Sequence, residues 1–352
     1  MRQIVFCFCL IFVLLSTKSN AQQVDLERNA PVKDYDTTYV QSFYELVTAR
    51  IYLSRKATSV LFDREDKQEN DLNYQPNSTM NLGIGATYKG FTLNLAYGFG
   101  ILNQDEGKGE TNYLDLQSHL YGRNYAIDIL GQFYTGMYLE NTAEINPSFP
   151  LPFYLRPDIQ INIVGVSYTH LFNAKQFSYA AAMVQNEYQK KSAGSFLAGA
   201  KFIVLSAQSD SSMIPYWERD LLNDSLAGIT TLSGILGGPG VGYGHSFVLK
   251  KHWFLTFSLE FNFLFGPAYY KRINQADFEE WQFNPSVDLR LAMGYNSPKT
   301  FVGISFVQDD TQLHDRGETT DIVFGVGNLR LNYAKRFQLN EKWTNRLSKL
   351  PF

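Results

Sequence analysis

The residues able to do chemistry in this chain recur at every second position. Asp115, Gln117 and His119 stand on one stretch, and Asp128 and Gln132 follow within a few residues. A histidine near two carboxylates can orient as a general base. Acyl transfer would also need a nucleophile, and Ser118 falls between the polar positions, on the opposite face of an extended chain. No catalytic set is therefore assigned. The same spacing recurs with Glu260 and Asn262, with Asp288 and Arg290, and with Arg330, Asn332 and Arg336. Rows of charge of both signs can line a passage and tune what enters it, or close into internal ion pairs. A third group crowds into a few residues: Gln185, Glu187, Gln189, Lys190, Lys191, Ser192 and Ser195. These read as a binding mouth or as a solvated turn. Asp309, Asp310, Asp315, Glu318 and Asp321 supply oxygen ligands of the kind Ca²⁺ takes, without EF-hand spacing. The expectation is an ordinary acidic loop, with no metal and no cofactor.

These residues must be positioned by strands. In TNYLDLQSHLYGRNYAIDILGQFYTGMY, Leu114, Leu116 and Leu120 alternate with Asp115, Gln117 and His119, and Tyr125, Ile127, Ile129 and Phe133 alternate with Asp128 and Gln132. A period of two means β-strand with one apolar and one polar face. Each arm runs about 12 residues, enough for the roughly 9–11 that a tilted strand needs to cross a bilayer. A two-residue loop, Gly122-Arg123 or Arg123-Asn124, puts both polar rows on one face. The first choice sets Asp128 opposite Gln117, the second opposite His119.

The pattern repeats along the chain. A strand is expected within 48–62. The hairpin 80–101 turns at Lys89-Gly90 and carries glycines on its inner face, from close packing or from curvature. Strands follow at 158–171, 177–188 and 196–206, then around 241–249, 253–265, 283–295, 301–308 and 322–337. The apolar face of 158–171 shifts from Ile159, Ile161 and Ile163 to Val164, Val166 and Tyr168, which predicts a bulge near Gly165. Short turns near 89–90, 122–124, 173–176, 250–252 and 296–299 alternate with long segments near 63–79, 102–110, 139–157, 266–281 and 309–320. Outer-membrane barrels have short periplasmic turns and long outer loops. The reading is all-β: an antiparallel transmembrane β-barrel of 12–14 strands. The count depends on whether 227–236 adds a crossing or 177–206 forms one long strand.

The organisation follows. Residues 1–21 read as a signal peptide, with Arg2, an apolar core at 4–15 and a small-x-small site ending at Ala21. A periplasmic lead-in covers 22–46, the barrel 47–337, and a tail 338–352. Cys7 and Cys9 lie in the signal, so the mature chain has no disulfide or thiol chemistry. The 22 Tyr and 27 Phe suit aromatic girdles. Without Arg2 and Lys18 there remain 29 basic and 34 acidic residues, a net of −5, which excludes attraction to nucleic acid. The expected location is the outer membrane of a Gram-negative cell. The expected partners are its lipid, the barrel-assembly machinery during insertion, and a small solute or lipid passed or bound. The alternatives are a barrel-embedded lipid hydrolase and a structural or adhesive barrel acting through its outer loops.

TMNLGIGATYKGFTLNLAYGFG, LDLQSHLYGRNYAIDILGQFYTGMY, RPDIQINIVGVSY and FSYAAAMVQNEYQKKSAGSFLAG together resemble an uncharacterised family of secreted Gram-negative proteins, domain of unknown function 4421. QNEYQKKSAGSFL is the most specific piece. The resemblance covers nearly all of the mature chain, from about residue 50 to 337. It implies a barrel-like fold and no established activity.

Overall fold

The alternating rows form long strands. A computed structural model describes residues 34–64, 71–78, 80–88, 91–98, 107–218, 226, 228–314 and 320–340. The expected signal peptide with Cys7 and Cys9, the turn expected at Lys89-Gly90, Asp315, Glu318 and most of the tail lie outside the described residues. In chain order the elements are β1 (Val40–Ser42), β2 (Val47–Arg64), β3 (Leu72–Gln75), β4 (Met80–Tyr88), β5 (Phe91–Gly98), β6 (Asn112–Tyr121), β7 (Tyr125–Leu139) and α1 (Thr142–Ile145). There follow β8 (Tyr154–Leu171), α2 (Tyr179–Met183), β9 (Glu187–Gln189), β10 (Ala193–Gln208), β11 (Ile229–Leu249), β12 (Trp253–Arg272), β13 (Phe278–Asn296), β14 (Thr300–His314) and β15 (Thr320–Phe337).

Every pairing is antiparallel, and β15 closes on β2 from Thr320↔Arg64 to Phe337↔Val47. The hydrogen-bonded circuit closes through ten strands: β2, β3, β7, β8 and β10 to β15. Toward the turn end β4, β5 and β6 enter between β2 and β7, with β4 on the first half of β2 and β6 on the first part of β7. Among the described residues these thirteen strands form one sheet, and the short β1 and β9 pair apart from it. Residues 227–236 add no crossing, because 229–249 is one strand. Three segments expected as loops are partly wall. Leu72 and Tyr74 of β3 are buried, β12 and β13 run far into 266–281, and β14 carries Asp309 and Asp310.

The inward rows of the two halves of the barrel have opposite polarity. Toward the turns, β12 points Trp253, Leu255, Phe257, Leu259 and Phe261 outward, and Thr256, Ser258, Glu260 and Asn262 inward. Toward the loops, the inward row becomes Leu264, Ala268 and Tyr270, each fully buried. β8 makes the same change. Ser167 and Thr169 face inward in the turn half, and Ile159, Ile161 and Ile163 in the loop half, where Gln160 and Asn162 face out. Its apolar face therefore shifts with no bulge at Gly165, whose ladders to β7 and β10 run without a break. The irregularity lies on β7 between Thr135 and Met137, at Gly136, whose φ is 91°. An apolar outer face suits lipid, and an apolar inner face under a polar wall suits a core standing in water. The apolar outer face of the turn half thus suits a membrane band, and the loop half surrounds a packed core. Each such core side chain contributes roughly 1.5–3 kcal/mol by leaving water.

The turn end is closed from within. Residues 177–188, expected as a strand, form α2 and lead into β9, which pairs with β1 of the lead-in. Ser178 caps α2 by accepting from Ala181 N at 3.0 Å. Tyr179, Ala180, Ala181 and Ala182 are buried. Small residues make α2 slim enough to enter a barrel mouth. The inward glycines of β11 leave it room, since a Cβ at Gly244 would stand 3.1 Å from Phe177. At Gly83 on β4 the reason is close packing, because a Cβ there would fall inside the Tyr52 ring.

Candidate functional site

Between the plug and the apolar core lies a layer of buried charge. Strand pairing sets His119, Asp128, Ser167 and Lys201 side by side on β6, β7, β8 and β10. The loop is therefore Arg123-Asn124, with His119 opposite Asp128. Across the barrel Glu260, Asp288 and Asp309 are neighbours on β12, β13 and β14.

The contacts join these two sides. Arg290 Nη2 donates to Asp128 Oδ2 at 2.6 Å, and His119 Nδ1 stands 2.5 Å from Asp128 Oδ1. Lys201 Nζ reaches Asp288 Oδ1 at 3.0 Å, Ser286 Oγ at 2.8 Å and the Asp309 carboxylate. Asn262 Nδ2 donates to Asp288 Oδ2 at 3.1 Å, and Thr169 Oγ1 donates to Glu260 at 3.1 Å. A second cluster joins Lys56 to Asp115 at 2.6 Å, with Tyr134 OH at 2.8 Å and Gln132 Nε2 at 3.1 Å on the same carboxylate. Gln117 accepts from Asn328 Nδ2 at 3.1 Å. Buried charges of both signs are stable only when paired and hydrogen-bonded, and this layer meets that demand at most positions.

The cavity among Gln117, His119, Asp128, Lys201, Arg290 and Asp309 measures about 50 Å³. That holds a few waters, at roughly 10–15 Å³ each. It is far below the several hundred Å³ of a ligand pocket. Nor is a hydrolytic relay assembled. Ser167 lines this cavity, but the row runs His119, Asp128, Ser167, with the carboxylate in the middle. Acyl transfer needs the histidine between the other two. Ser118 points outward. Among the described residues no group of three or more His, Cys, Asp or Glu can hold a metal.

Arg330, Asn332 and Arg336 lie apart from this layer, nearer the plug. The Arg330 guanidinium stacks 4.6 Å from the Tyr52 ring centroid. Arg336 donates to Gln185 O at 3.0 Å through Nε and to Asn296 Oδ1 at 3.0 Å through Nη2. The expected mouth residues do not make a mouth. Gln185 is 1% exposed inside the plug. Glu187 takes Arg123 Nη1 at 2.5 Å, and Gln189 accepts from Ser178 N at 3.0 Å. Lys190 Nζ donates to Thr37 O at 2.9 Å, and Lys191 lies 5.1 Å from the Tyr39 ring centroid. Ser192 Oγ accepts from Val248 N and Ser195 Oγ from Asn173 N, each at 2.9 Å. This segment is folded back as a stopper, and its polar side chains are spent on holding it. Within it, burial pushes the Tyr188 hydroxyl above its ordinary value. At its surface, hydrogen bonds from Thr38 hold Asp36 below the usual carboxylate range.

Sequence reasoning missed Lys201, Lys56 and Arg50, and placed Asp309 in a loop. Lys201 and Lys56 stand on the inward parity of their strands, so the period of two could have found them. Asp309 was hidden by its place in a run of acids that reads as a loop.

Solved structures with a similar path are outer-membrane proteins. The outer membrane protease OmpT from Escherichia coli is 9% identical with a TM-score of 0.37, covering 85% of this chain and 98% of its own. The P. putida toluene transporter TodX is 7% identical with a TM-score of 0.24, covering 84% and 91%. A Pseudomonas aeruginosa FadL homologue is 7% identical with a TM-score of 0.27, covering 84% and 91%. No curated protein matches the chain. The profile of the domain of unknown function DUF4421 matches residues 34–337, the plug and the whole barrel wall together, and the chain belongs to that family.

Proposed function

We propose that this protein is a non-conducting barrel of the outer membrane that works by binding at its loop end. The observation that carries the reading is the filled interior. Ile161, Ile163, Ile203, Leu232, Leu264 and Phe324 meet inside the loop half at 2% exposure or less, and the plug closes the other end. Passage of a solute would require unpacking that core. Apolar burial at roughly 25 cal/mol per Å² resists such an opening. The loop end offers a surface instead. Trp217 packs on Phe149 at 5.1 Å and on Tyr154 at 4.8 Å, while Tyr216 and Leu151 beside them are 62% and 56% exposed. Rigid aromatic groups of this kind anchor partners at low entropic cost. A lipid or a small amphipathic solute is the ligand class that suits them.

Reconstitution into planar bilayers tests the reading. The purified, heat-modifiable barrel is expected to leave the membrane resistance unchanged. Reproducible single-channel steps from the wild-type protein would sink it.

A further inference from the structure

The charge layer described above is paired, but a second set of buried cations is not. Arg50 of β2 and Arg336 of β15 are 5% and 4% exposed, and Arg330 stands farther along β15 on the inner wall, opposite Ser54 and on the other side of Arg50 from Arg336. Among the described residues none of the three has a carboxylate within ion-pair distance. Arg50 Nη2 holds the plug carbonyl of Val184 at 3.0 Å, while every nitrogen of Arg336 is spent on Gln185 O, Asn296 Oδ1 and Ser297 O. These carbonyls are neutral, so the positive charge stays uncompensated. The Nε groups of Arg50 and Arg330 are buried without any partner. Arg330 is held in place by the Tyr52 ring.

The wall beside the cluster leaves space. Arg50 pairs with Gly85, which pairs with Asn94, and Tyr52 pairs with Gly83, which pairs with Ala96. The row thus passes from arginine to glycine to a small residue. Asn94 and Ala96, on the inward parity of β5, are exposed. The inner face beside Arg50 is therefore open at Gly85, Asn94 and Ala96, while Gly83 lies under the Tyr52 ring.

A buried cation without a counter-charge is costly. Guanidinium donors in fixed forks match the oxygens of a phosphoryl group, which they bind in bidentate fashion. We propose that Arg50 and Arg330 form an anion site inside the turn end of the barrel, taking a phosphoryl group from a lipid headgroup or from free phosphate. The site meets the plug through Arg50, so its occupant also braces Val184.

The test uses the full mature chain refolded in an uncharged detergent. Thermal unfolding is followed by loss of heat-modifiable gel mobility. One arm titrates inorganic phosphate against chloride at equal ionic strength. The other adds dodecyl phosphate against dodecyl maltoside. A saturable rise in unfolding temperature is expected in at least one arm. Arg330→Gln is expected to weaken the apparent affinity by about tenfold or more. Arg330→Lys keeps the charge, loses the fork, and is expected to fall between. A response to inorganic phosphate supports a soluble ligand, and a response to dodecyl phosphate alone supports a lipid. If Arg330→Gln does not fold, Arg330→Lys decides: affinity equal to wild type overturns the site. No response in either arm, or equal responses in wild type and Arg330→Gln, also overturns it. The bilayer recording above is independent of this result.

Discussion

Asp128 carries a carboxylate shared by Arg290 at 2.6 Å and His119 at 2.5 Å. Arg290 is 4% exposed and lies 5.9 Å from the Tyr179 ring centroid, so losing Asp128 leaves its buried charge without its close partner. Asp128→Ala is expected to destabilise the folded barrel by on the order of 3–5 kcal/mol, the cost of leaving one buried partner alone. Asp128→Leu combined with Arg290→Met is expected to cost less than the sum of the single changes. Urea titrations of the refolded protein measure all four corners of that cycle. Strict additivity would mean that the pair does not interact.

At the scale of the strand, polarity inversion makes testable demands on neighbouring positions of β8. Ile161 is fully buried in the loop-half core, while Gln160 faces out and is exposed. Ile161→Arg is expected to abolish folded yield, and Gln160→Arg to leave it unchanged. Val166→Arg, on the outer face of the membrane band, is expected to cost roughly 2–4 kcal/mol. Tolerance of Ile161→Arg would contradict a packed interior. The bulge makes a second demand. At Gly136 the φ of 91° is one that L side chains avoid, and a Cβ would stand 2.3 Å from Glu110 O. At Gly165 an added Cβ meets nothing nearer than 3.4 Å. Gly136→Ala should therefore lose on the order of 1–3 kcal/mol and Gly165→Ala little, as read by midpoint shifts in urea.

The whole molecule is a barrel filled from both ends. Fractionation is expected to recover it in the detergent-extracted outer membrane with heat-modifiable mobility. Recovery as a soluble periplasmic protein would end the membrane reading. Deleting residues 34–46 removes β1, the partner of β9, and with it Phe43, whose ring lies 4.2 Å from the Arg336 guanidinium. That variant is expected to keep the wall, since β2 begins at Val47. It should also expose the 177–189 segment to added protease, a gain visible as a new cleavage fragment.

The amino-acid order determined the class of wall, its antiparallel pairing and the face of most side chains in the turn half. A period of two is a local property, and Leu114, Asp115 and Leu116 announce it unaided. The residues of the charged layer were legible for the same reason, as inward positions of alternating strands. Their partners were not. Nothing in the spacing tells Arg290 that Asp128 lies across the barrel, because that neighbour is fixed by closure and register. The tertiary structure also decided what the interior is. A strand that crosses from lipid into water must exchange its apolar and polar faces. In the sequence this exchange at Gly165 looks the same as a one-residue slip. The plug escaped for a related reason: Phe177, Tyr179 and Ala181 alternate well enough for a strand. Only an enclosing wall, with glycines on β11 to admit it, makes a short capped helix the better way to bury them.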